Sequence, residues 1–186
     1  MKVYKIYFSL SFLLLFNALS IHASNYDEDI LEIFSKIAPR LILMSSQKNK
    51  IEDEIQICIL YEKVDTNAAN SLTDKINSNY PNGIKNHKLN IIHSKYSELH
   101  KCQNTQLTYL FNTTTKNVIE SINYLNQYSI LTLSYDPVQL QYGVHASLFL
   151  GRKVMPYLNI TRIYNDGIKL DNILIRVSKI YTKGEQ

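Results

Sequence analysis

The chain has 186 residues, 45% of them hydrophobic, enough for one domain with a real core and too few to divide comfortably into two. Charged residues make up 19%, below the usual quarter, which excludes a coiled-coil polymer or a disordered chain. Five glycines and four prolines exclude a collagenous or low-complexity protein.

Residues 1–23 have the pattern of a secretory signal peptide. Lys2 and Lys5 form a positive start, and Phe8 to Ala18 is apolar apart from Ser9, Ser11 and Asn17. Ile21-His22-Ala23 then places a small residue before Ser24. The apolar run is shorter than the roughly 20 residues of a spanning helix. The expectation is a cleaved signal and a soluble periplasmic domain over 24–186. Without Lys2 and Lys5 the basic residues fall from 20 to 18 against 16 acidic ones, a net charge of +2. Such a balance gives no polybasic footprint for nucleic acid or for a membrane surface.

Asn25 is positioned to cap a first helix, with Asp27, Glu28 and Asp29 in the turn where the helix dipole favours carboxylates. Ile30, Ile33, Phe34, Ile37 and Leu41 repeat at helical spacing, and Pro39 is expected to kink or end the helix. Residues 55–61 read as a strand buried on both faces. A weaker helix follows over 67–79, with Ala68, Ala69, Leu72 and Ile76 on one side, broken by Tyr80-Pro-Asn-Gly83. Short strands are expected at 89–92 and 106–111. Thr113 to Thr115 offer a cap for a helix with Val118, Ile119, Ile122 and Leu125 in its stripe. A fourth strand at 130–133 ends before Asp136-Pro137. Three strand–helix alternations in a row imply a mostly parallel sheet flanked by helices.

The last third changes character. Val144 to Leu150 and Val154 to Leu158 read as an antiparallel hairpin turning at Gly151-Arg152. Asn159 caps a short helix closed by Asp166-Gly167. Asp171 opens a last helix whose Ile173, Leu174, Val177 and Ile180 are expected to bury one face. With no linker, repeat or charge block, the reading is a single α/β domain: a mostly parallel central sheet with a C-terminal hairpin.

Candidate chemistry is thin. Cys58 and Cys102 are an even pair in an exported chain, which favours a disulfide; two separate buried thiols are the other reading. His93, His100 and Cys102 match no compact zinc spacing, so no metal site is expected, and His87 and His145 add no pattern. There is no Gly-x-Ser-x-Gly elbow, no His-Glu-x-x-His and no glycine-rich phosphate loop; Tyr61-Glu62-Lys63 follows the first strand instead. Asp136 and Asp166 sit in turn contexts, where aspartate serves local backbone bonds. No catalytic residue and no cofactor are expected, and the sequence singles out no ligand-binding residue.

Several segments resemble, in order, the YfiR-like family of exported proteins: Leu131-Thr-Leu-Ser134, Gly143-Val144, Pro156-Tyr-Leu-Asn159, Gly167-Ile-Lys-Leu170 and Leu174-Ile-Arg-Val177. Ile57-Cys-Ile-Leu60 resembles the family's first strand, and Cys102 precedes the later strand where many members carry a cysteine. The resemblance implies a non-catalytic periplasmic regulator that binds the sensor domain of an inner-membrane diguanylate cyclase and restrains it. It implies turn and cap positions at Gly143, Asn159 and Gly167, and no particular contact residue. A periplasmic small-ligand-binding domain feeding a sensor kinase or transporter is the alternative.

Overall fold

The computed structural model describes residues 26–183; the signal-peptide expectation lies outside these residues. Among the described residues, seven strands form one sheet in the order β2-β1-β3-β4-β5-β6-β7. The strands are β1 (Glu54–Tyr61), β2 (Lys88–Lys95), β3 (Leu107–Leu110), β4 (Leu131–Ser134), β5 (Ala146–Leu150), β6 (Val154–Leu158) and β7 (Lys179–Ile180). Pairing is parallel from β2 through β5, antiparallel between β5 and β6, and parallel again between β6 and β7. The architecture is therefore a single α/β domain with a mostly parallel sheet and a hairpin near its C-terminal end, in agreement with the sequence reading.

Alternation along the strands sorts the interior into two layers. Ile55, Ile57 and Ile59 of β1 join Leu107 and Tyr109 of β3 in a core beneath helices α1 (Glu28–Leu43) and α2 (Thr66–Asn79). Cys58 and Leu60 point the other way and pack with Val118, Ile122 and Leu125 of α3 (Thr115–Asn126). Ile163 of α4 (Ile160–Asn165) and Leu174 of α5 (Asn172–Arg176) belong to the first layer. Among the described residues, four helices thus cover one face and α3 with short 3₁₀ segments covers the other. The second face is left without a helix over β5–β7.

Several local expectations change in the structure. The cap of α1 is Asp27, whose carboxylate accepts the backbone N–H groups of Asp29 at 2.8 Å and Ile30 at 3.2 Å. Pro39 does not end α1, which runs four residues further. A proline inside a helix costs about 3 kcal/mol. Burying Leu41 and Ile42 beyond it returns about 1.5–3 kcal/mol each. Ile119 is exposed, while Val118, Ser121, Ile122 and Leu125 face inward. The largest departure is the expected last helix. It stops at Arg176, and the chain then extends to pair as β7 with Tyr157 and Leu158 of β6. Leu174 is buried, whereas Ile173, Val177 and Ile180 are exposed.

The two cysteines form a disulfide, with Cα atoms 5.4 Å apart, inside the range such bonds require. It ties central strand β1 to the 3₁₀ segment Tyr96–Cys102 just ahead of β3, and both residues are fully buried. A buried disulfide fits an oxidising compartment. No helix among the described residues is long and apolar enough to cross a membrane.

Candidate functional site

In an open parallel sheet the crevice at the carboxyl ends of the strands, where the strand order reverses, is the expected ligand position. Here the reversal falls between β1 and β3, and the chain fills that place itself. The Tyr26 ring stacks edge-on against Phe111 and Tyr135, each with centroids 4.7 Å away. Its hydroxyl accepts the Asn112 N–H at 3.1 Å, and the Tyr135 hydroxyl accepts the Asp27 N–H at 3.0 Å. Glu62, following β1, accepts from Thr113 at 2.7 Å and from the Asn117 amide at 3.0 Å. Asp65 is buried beside this cluster, and burial pushes its carboxyl above the usual aspartate value against the opposing hydrogen bond with Tyr26.

At the opposite ends of β1 and β3 lies a polar cleft of about 830 Å³, lined by Glu52, Asp53, Glu54, Gln56 and Gln106 among others. The Lys50 ammonium donates to the carbonyls of Tyr128 and Ser129, both at 2.9 Å, and burial lowers its pKa. The lysine thus holds the turn after α3, and the carboxylates face solvent.

The third place is the sheet face over β5–β7 that no α-helix covers among the described residues. A groove of about 630 Å³ runs along it, floored by rings from three separate segments. Phe149 of β5 meets Tyr157 of β6 edge-on at 5.7 Å, and Tyr157 meets Tyr181 at 5.7 Å. Val138, from the 3₁₀ segment Pro137–Tyr142, and Leu150 rim it and are 46% and 56% exposed. Gly151 makes room for the floor: a Cβ there would meet Phe149 Cε1 at 2.5 Å. The Lys179 ammonium stands 5.6 Å from the Phe149 ring centroid. Pro156, in β6, lacks a backbone donor, a device that discourages strand addition at a sheet edge.

A buried polar network supports β5 from behind. The Thr132 N–H donates to His145 Nδ1 at 3.1 Å, so the ring proton sits on Nε2 and is donated to Asp166 at 2.8 Å. Arg162 Nε donates to the same carboxylate oxygen at 2.7 Å. Burial lowers the His145 pKa and outweighs the pull of Asp166. Burial pushes Asp166 up, but the hydrogen bonds from His145 and Arg162 together hold it below the usual aspartate value. Asp166 therefore serves a long-range pair rather than the local turn expected of it. Asp136 does serve its own turn, accepting the Val138 N–H at 2.9 Å.

The histidines flagged by sequence do not converge. His93 bonds the Thr73 hydroxyl at 2.7 Å, Cys102 is committed to its disulfide, and His100 is exposed on the Tyr96–Cys102 segment. Among the described residues no three His, Cys, Asp or Glu side chains lie together as metal ligands. The groove residues carry no sequence signal because they come from four segments and share no motif.

No protein-family model matches this sequence, and no curated protein matches it. Crystal structures that share its fold include two at low sequence identity. One is a conserved domain protein from Vibrio cholerae O1 biovar El Tor, with a TM-score of 0.60 and 10% identity over 82% of this chain. The other is the ABC domain from Streptococcus pneumoniae in complex with L-Trp, with a TM-score of 0.57 and 7% identity over 79% of this chain. This chain spans 60% of the length of each. At such identities the likeness concerns the fold alone.

Proposed function

We propose that this chain is an exported binding regulator without catalytic activity, of the YfiR-like kind, whose partner is the periplasmic sensor domain of a membrane signalling protein, a diguanylate cyclase in the first instance. The observation that carries this reading is the uncovered aromatic groove over β5–β7, rimmed by Val138 and Leu150. A regulator needs a complementary surface that binds one state of its partner better than another. Aromatic rings in a water-excluding patch are the side chains that anchor such contacts. The buried Cys58–Cys102 bond supports the oxidising compartment in which that partner domain would lie.

Deleting the gene should raise cyclic-di-GMP in the native host, and capture from solubilised membranes should recover a sensor protein. Unchanged cyclic-di-GMP with no membrane protein captured would overturn the reading. A periplasmic ligand-binding domain is the second reading. It draws on the groove's volume, which lies in the range of small-molecule sites, and on the fold shared with a domain crystallised with L-Trp.

A further inference from the structure

The C-terminal part of the described chain has a charge balance unlike the rest. From Pro137 to Lys183 there are seven lysines and arginines and two aspartates. Both aspartates are engaged, Asp166 with Arg162 and His145, and Asp171 with Lys48 at 3.1 Å. From Tyr26 to Asp136 the balance is reversed, with eleven basic and thirteen acidic residues. The near-neutral total of the exported chain hides this separation.

One of these cations lines the groove and two more follow its rim in sequence. Lys179 lines it, and Arg152 and Lys153 form the hairpin tip directly after rim residue Leu150. Among the described residues none of these three cations forms a salt bridge, and no carboxylate lines the groove. Lys179 and Tyr157 are directly paired across β6 and β7, so the ammonium shares the face of the rings.

We infer that the groove is a binding site for a small planar aromatic anion, a ring system carrying a carboxylate. The apolar body lies against Phe149, Tyr157 and Tyr181, and the anion is drawn to Lys179 and the Arg152–Lys153 tip. Ring stacking supplies affinity, and the uncompensated cations select the sign of the charge. An aromatic cation stacks on the same rings equally well but meets the like charge of Lys179. This inference rests on the ligand-binding reading of the groove and not on the regulator reading, because the isolated chain should bind the anion with or without a membrane partner.

The test uses the purified protein and 1-naphthaleneacetate, with 1-naphthalenemethylamine as its cationic counterpart, followed by calorimetry. The acetate should bind saturably with one site per chain, about fivefold or more tighter than the amine. Tyr181→Ala should weaken the acetate about tenfold. Lys179→Glu, which reverses the exposed charge that lines the groove, should erase the preference between the two probes. Equal affinities for the two probes, binding untouched by Lys179→Glu, or no saturable binding of the acetate would each overturn the inference. If the acetate fails to bind while the groove is shielded in a complex with a captured membrane protein, the groove is a protein contact alone, and the inference is likewise overturned.

Discussion

The region built around β1–β4 and the region built around β5–β7 solve different problems. In the first, a buried central strand has helices on both faces, and its odd and even residues enter separate cores. A disulfide crosses it, and its ligand crevice is occupied by Tyr26. In the second, helices α4 and α5 cover one face, while rings and an ammonium stand on the other. The first region conceals its apolar surface and the second displays some of it. On an ordinary monomer an exposed apolar patch next to unpaired cations marks a place of contact. On the proposed reading, stability resides in one part of the sheet and recognition in the other.

That division can be broken by mutation, and the largest effect is expected at the staple. Replacing Cys58 and Cys102 together by alanine should cost about 4 kcal/mol in urea unfolding, since the bond closes a loop with a sequence separation of 44. A loss near zero would remove the distinction between the two regions.

Next is the network behind β5. His145→Gln should cost about 2–3 kcal/mol by stranding the Thr132 N–H and the Asp166–Arg162 pair. It should also change the pH dependence. His145 titrates below its ordinary 6.5 in the folded chain, so the unfolded chain binds more protons there. The network's contribution is complete above 6.5 and declines as the pH falls below it. Asp166, held below its ordinary 3.8, keeps its contribution above that value and loses it under stronger acid. Wild-type Tm should therefore drop on acidification from neutral pH more steeply than that of His145→Gln. Parallel curves would contradict the assignment.

A smaller effect is expected at the cap of α3. Thr114 accepts the Asn117 N–H at 3.2 Å, and Thr114→Ala should cost about 1 kcal/mol by thermal unfolding. The smallest belongs to the groove rim. Leu150 is 56% exposed, so Leu150→Asp should change stability by no more than about 0.5 kcal/mol while abolishing binding.

Much of the first region is legible in the sequence because its signals are local. The unbroken apolar run of β1, the stripe of α2 and the threonine cap of α3 each specify an element without reference to distant residues. The second region is read less well for the opposite reason. Ile173, Val177 and Ile180 carry a helical spacing, yet the backbone after Arg176 finds a partner in β6, where the Tyr181 N–H meets the Leu158 carbonyl at 2.8 Å. A two-residue parallel strand leaves no periodic trace. Asp166 looks like a turn residue because its neighbours are turn residues, and its partner His145 lies 21 positions earlier. The groove depends on helices that cover one face and not the other, which no single segment encodes. Its charge was visible in the sequence but is averaged away when the chain is counted as a whole.

On the proposed reading the β5–β7 face performs recognition and contributes little to stability. The most direct measurement is cyclic-di-GMP in a deletion strain complemented with either wild type or Leu150→Asp, with the Tm of both proteins determined alongside. Equal Tm values are expected, with low cyclic-di-GMP for the wild type and the elevated level of the deletion strain for the variant. Full complementation by a normally folded Leu150→Asp protein would contradict it.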